Sequence, residues 1–89
     1  MTGEVQEWFV YMIRCAGGQL YTGISTDVER RLAEHAAGHG AKFLRGKGPL
    51  QLVFTRKVGC RSTALQAEAG IKKLSREQKE ALIGAEPSA

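Results

Sequence analysis

Arg31 and His35 stand four residues apart in the segment Asp27 to Ala37, and Glu68 stands in the segment Thr63 to Leu74. An arginine is a permanent cation suited to phosphate, a histidine exchanges protons near neutral pH, and a glutamate offers hard oxygen ligands to a divalent cation. Tyr11 and Tyr21 add two phenols, which titrate near ~10 in model peptides. Taken one at a time, such residues are more often packing or solvated surface than chemistry. Charge distribution adds a second signal. Between Glu34 and Glu68 there is no acidic residue, while Lys42, Arg45, Lys47, Arg56, Lys57 and Arg61 all fall there, in a chain of net charge +4. That segment presents a positive surface to a polyanion such as nucleic acid. Charge alone leaves a solvated basic face equally open.

Elements must bring these residues together. Trp8 to Arg14 and Gln19 to Ile24 are rich in aromatic and β-branched residues and flank Cys15-Ala16-Gly17-Gly18, so they read as a β-hairpin. With a three-residue loop placing Arg14 opposite Gly18, Tyr11 lies directly across from Tyr21. Thr26-Asp27-Val28-Glu29 has the form of a capping box and opens a helix running to about His35 or Ala37. On its wheel Val28, Leu32 and Ala36 form an apolar stripe, Arg31 and His35 lie along the edge, and Arg30 points to water. Gly38 to Pro49 reads as a long irregular loop carrying Lys42, Arg45 and Lys47. Leu50 to Val58 alternates as a third strand. A second helix, about Thr63 to Leu74, places Ala64, Ala67, Ile71 and Leu74 on one face with Glu68 at the margin. Ser75-Arg76-Glu77-Gln78 caps a last short helix ending near Gly84.

The order β-β-α-β-α-α predicts an α+β fold, a three-stranded antiparallel or mixed sheet with helices against it. Its 89 residues allow one core. The expected domain is 8–83, between tails 1–7 and 84–89. Cys15 and Cys60 fit neither a disulfide framework nor zinc spacing and read as reduced thiols. The first residues lack the form of a secretory signal, and no stretch approaches the ~20 apolar residues of a membrane span, so a cytoplasmic protein is expected.

Phe9-Val10-Tyr11, Tyr21-Thr22-Gly23, then Asp27-Val28-Glu29-Arg30-Arg31-Leu32 with His35, and a distant Glu68 followed by Ile71-Lys72, Leu74-Ser75-Arg76 and Lys79, resemble in order and spacing the GIY-YIG endonuclease superfamily. The small standalone bacterial members are the nearest match, over residues 8 to about 79. The resemblance implies a metal-dependent endonuclease hydrolysing DNA phosphodiester bonds, with broad or structure-dependent specificity and a place in DNA repair or processing. It implies Tyr11 and Tyr21 as the motif tyrosines, Gly23 as the glycine closing the second motif, and Arg31 and His35 as the helix pair. Glu68 corresponds to the metal-binding glutamate, holding a single Mg²⁺ or Mn²⁺. Nucleic acid, DNA in the first instance, is the implied partner, and the basic loop residues Lys42, Arg45 and Lys47 are by their charge the candidate contacts. The resemblance favours Tyr11 as general base, while Tyr21 and His35 stay open for that role. The sequence departs from the pattern at Phe9-Val10 and Thr22. Ile24 stands where some relatives place a cation, which implies weak activity. A non-catalytic nucleic-acid-binding module of the same fold is the alternative, and a partner-binding domain ranks behind it.

Overall fold

Residues 6–85 are described by a computed structural model, so the parts of the expected tails at 1–5 and 86–89 lie outside the described residues. Alternation in the first apolar run organises everything else. In β1 (Trp8–Arg14), Val10 and Met12 face one side of the sheet while Tyr11 and Ile13 face the other, and all four are at most 1% exposed. A strand buried on both faces belongs at the centre of its sheet. The strand order is indeed β2-β1-β3, with β2 (Leu20–Ser25) and β3 (Gln51–Gly59) both antiparallel to β1. Full burial of each such aliphatic side chain stabilises the fold by about 1.5–3 kcal/mol relative to exposure.

Each face carries its own layer. Val10, Met12, Phe54 and Ile71 form one cluster, packed by Ala67 of α2 (Arg61–Lys72) and by Leu82 and Ile83 of α3 (Arg76–Ala85). Tyr11, Ile13, Cys15 and Leu44 form the other, packed by Val28 and Leu32 of α1 (Val28–Ala36) and by Ala41 and Leu50 of the loop that follows. Leu44, in a 3₁₀ turn over Lys42–Leu44, pins that otherwise irregular loop to the sheet. Ile24 packs beside Val10 and Met12.

The predicted element order and sheet are as observed, with local corrections. In the hairpin Arg14 pairs with Leu20, so Tyr11 faces Gly23, and Ile13 rather than Tyr11 faces Tyr21. The turn is two residues longer than expected: Cys15 N–H donates to Gln19 O, and Gly18 adopts a φ of 92°. Because side chains alternate with period two, this even shift keeps both tyrosines on one face and makes them diagonal neighbours. The cap of α1 is Asp27, not Thr26: its Oδ1 accepts from Arg30 N–H at 3.1 Å. Helix α2 begins two residues before the expected start and ends at Lys72, leaving Leu74 in the following turn. The box at α3 forms as read, Ser75 Oγ accepting from Gln78 N–H while Ser75 N–H donates to Gln78 Oε1. That helix continues through Gly84 to Ala85.

Candidate functional site

Tyr11 is 1% exposed, yet its hydroxyl is not left without a partner. It lies 2.9 Å from Nε2 of His35, itself 2% exposed on α1. The other ring nitrogen decides the direction of that bond. Ala41 N–H donates to His35 Nδ1 at 3.0 Å, so Nδ1 carries the lone pair, the ring proton sits on Nε2, and His35 donates to Tyr11 Oη. Burial first, then the neighbouring charge of Arg31, hold the His35 pKa below its ordinary value, which favours this neutral form. His35 therefore has no lone pair left for a water molecule.

The Tyr11 pKa is pushed up to about 12, mainly by burial and then by Tyr21; the N–H donors and charge of Arg31 pull it down, and Glu68 pushes it up again. These influences place Arg31 and Glu68 around the same hydroxyl, although α1 and α2 lie on opposite faces of the sheet. The edge strand β2 is where the two layers approach each other. Gly23 makes the approach possible: a Cβ there would lie 2.5 Å from Tyr11 Oη, 2.7 Å from its Cζ and 3.1 Å from Tyr21 Cε2. Its φ is not in the left-handed region, so the requirement is close approach and not backbone freedom.

Tyr21 is half-buried beside this cluster, its ring centroid 6.4 Å from Tyr11 and 5.4 Å from His35. Arg31 donates to Glu34 Oε1 at 3.0 Å, which holds the guanidinium in place and raises its pKa. The helix wheel separates the adjacent arginines correctly, since the Arg31 side chain is 38% exposed against 76% for Arg30. Glu68 is 21% exposed, and Lys72 Nζ lies 3.3 Å from its Oε2.

The basic residues divide into two groups. Lys42 and Arg45 are exposed in and after the 3₁₀ turn, and Lys47 lies with its Nζ 4.7 Å from the Phe43 ring centroid. Lys57, by contrast, pairs with Glu7 at 3.2 Å, and Arg61 lies over Trp8 at the far end of the sheet. Sequence reasoning missed Gly40, Ala41 and Phe43. A Cβ on Gly40 would collide with His35 Nδ1, and Ala41 supplies the backbone donor that sets the histidine tautomer. Only the glycines of the loop hinted at such a close approach.

Among the described residues no three His, Cys, Asp or Glu side chains group as a metal cage. A closed zinc-type site is thereby a poor fit. A lone half-buried carboxylate suits Mg²⁺ or Mn²⁺, since Mg²⁺ keeps several waters and takes one or two carboxylates beside substrate phosphates.

The family model for the GIY-YIG catalytic domain matches residues 7–81. A UPF0213 protein of Cronobacter sakazakii is 57% identical over 82 residues, covering 92% of this chain and 86% of its own. One from Yersinia pestis is 59% identical over 80 residues, covering 90% and 84%. Among solved structures, a UPF0213 protein of Bacillus halodurans matches with a TM-score of 0.57 at 44% identity, over 88% of this chain and 83% of that one. A protein of E. faecalis matches with a TM-score of 0.61 at 34% identity, over 100% and 97%.

Proposed function

Because the chain belongs to the GIY-YIG catalytic-domain family and groups with its UPF0213 relatives, we propose that it is a metal-dependent endonuclease acting on nucleic acid, DNA in the first instance. The observation that carries this reading is the Tyr11 hydroxyl, buried, accepting from His35 Nε2–H, and felt electrostatically by both Arg31 and Glu68. Hydrolysis needs a base for the attacking water, positive charge on the phosphate and help for the leaving oxygen. With both nitrogens of His35 engaged, Tyr11 is the base, and His35 positions it and stabilises its phenolate by donating. The proton leaves water for Tyr11 Oη as the new O–P bond forms; the P–O bond to the departing strand breaks, and solvent protonates the released oxygen. Arg31 holds the phosphate and Tyr21 orients it or the water. Glu68 would hold the divalent ion, which would supply positive charge for the phosphate and the leaving oxygen.

At a pKa of about 12, only about one Tyr11 in 10⁵ is ionised at pH 7. Glu68 is one cause of that elevation, so neutralising its carboxylate removes an obstacle to phenolate formation. Ultraviolet difference titration tests this without turnover. The Tyr11 transition, identified by its absence in Tyr11→Phe, moves to lower pH with Mg²⁺ or in Glu68→Gln, and an unmoved transition overturns the coupling. The activity test is cleavage of labelled single-stranded, duplex and branched DNA with Mg²⁺, Mn²⁺ or EDTA. Products that need metal and fall about 10²-fold or more in both Glu68→Gln and Tyr11→Phe are expected. A Glu68→Gln protein as active as wild type sinks the reading.

Two observations favour the non-catalytic alternative: Glu68 is already paired with Lys72, and Ile24 brings no cation to the tyrosines. Salt-sensitive binding of nucleic acid without any metal-dependent product would select that module.

A further inference from the structure

Phe43 is oddly placed for its type. It is 47% exposed, whereas its neighbour Leu44 is 2% exposed and anchors the same turn. Its ring is stacked on Tyr21, with centroids 6.1 Å apart and planes at 22°, and the Lys47 ammonium lies over it. Beside the ring is an open hollow of about 250 Å³ lined by Leu20, Tyr21, Thr22, Phe43, Lys72 and Lys79. Its wall joins apolar surface to two ammonium groups and includes no carboxylate. Two of these residues also belong to the candidate site, Tyr21 directly and Lys72 through its contact with Glu68.

An apolar plate flanked by cations matches a flat ring with a phosphate on either side. We infer that this hollow holds one unpaired nucleobase stacked on Phe43, its flanking phosphates on Lys72 and Lys79, next to the phosphate that Tyr11 faces; the placement rests on the nuclease reading above. A base within a duplex has both faces covered by its neighbours, so only an unstacked or extruded base can offer its face to Phe43. The Lys47 ammonium lies over the Phe43 ring without lining the hollow, so it is a third cation beside the incoming base, available to the backbone phosphates.

The test is binding, measured by fluorescence anisotropy in EDTA, so that no turnover is required. Short single-stranded DNA and RNA oligonucleotides of one sequence, a set carrying a single abasic site at each position in turn, and the matching blunt duplex are bound to wild type, Phe43→Ala, Phe43→Leu and Phe43→Trp. Phe43→Ala and Phe43→Leu each weaken single-strand binding about tenfold, and Phe43→Trp retains it. One abasic position weakens wild-type binding by a similar factor and costs Phe43→Ala nothing further, while duplex binding is unchanged by either substitution. The DNA and RNA arms identify which chain supplies the base. Unaltered binding by Phe43→Ala, an abasic scan of wild type with no position-specific loss, or an equal loss on duplex each overturns the subsite. Absence of cleavage in the activity test, by contrast, removes the nuclease reading and leaves this result standing.

Discussion

At Gly23 the missing side chain is the functional feature. The nearest obstacle to a Cβ there is the hydroxyl oxygen of Tyr11, the proposed base, and behind it is the phenol ring, which is locked by burial and by the bond from His35. Gly23→Ala must therefore push Tyr11 Oη away from His35 and Arg31. Displacements of roughly 1 Å at a reacting group cost on the order of 10²-fold in rate. Alanine is otherwise the better strand residue, by about 0.5–1 kcal/mol, which offsets part of the steric cost to stability. Cleavage by Gly23→Ala is expected to drop about 10²-fold while its melting temperature falls by no more than a few degrees, as read from initial rates and a thermal melt. Unchanged cleavage would show that Tyr11 does not act from this position.

Among the elements, α3 is tied to β1 by an ionic clamp as well as by the packing of Leu82 and Ile83. Arg14, the last residue of β1, grips both carboxylate oxygens of Glu80 at 2.7 and 2.8 Å, and Arg76 reaches the same group at 3.0 Å. The Arg14 contact, followed by that of Arg76, lowers the Glu80 pKa from 4.5 to about 2. A folded-state pKa below the unfolded one means that the unfolded chain binds more protons between the two values, so the clamp's contribution is complete above about pH 4.5 and is lost as pH falls toward about 2. Wild type should melt higher than Glu80→Gln at pH 6, with the gap closing through that window; a constant gap would exclude the clamp as its source. Acid effects at His35, whose lowered pKa withdraws stability as pH falls below about 6.5, are common to both proteins and cancel. Element by element, the sequence carried what is local. Alternation in Trp8 to Arg14, the helix stripe and the Ser75 to Gln78 box all name their own structure. The hairpin register and the cap at Asp27 were set by a turn geometry that glycine content alone does not specify, and Arg14 with Glu80 is a contact between residues far apart in the chain. Tyr11, Tyr21, Arg31, His35 and Glu68 could be named as candidates because they match the family's motifs in order and spacing, with Arg31 and His35 also marked by their place on the helix wheel. Gly40, Ala41 and Phe43 could not, since an irregular loop has no periodicity to show which atoms it turns inward.

Across the whole molecule, the acid-free stretch from His35 to Ala67 does not make one continuous patch. It is cut by β3, which carries the chain from the turn beside Tyr21 to the far edge of the sheet. Lys42 and Arg45 stay exposed near the site, whereas Lys57 is paired with Glu7 and Arg61 with Trp8. Only the first group is placed to neutralise phosphates of a strand lying across Tyr11. Each phosphate contact releases condensed counterions and contributes about 0.7 to the slope of log affinity against log salt for single strands, and about 0.9 for duplex DNA. The double substitution Lys42→Ala with Arg45→Ala should therefore flatten that slope by roughly 1.4–1.8 and weaken binding at all sequences alike. Lys57→Ala should leave the slope where it was, because its ammonium already has a carboxylate partner away from the site. Titrations at several salt concentrations in EDTA decide the matter, and an equal loss of slope in both proteins would mean that nucleic acid wraps the sheet instead of crossing one edge of it.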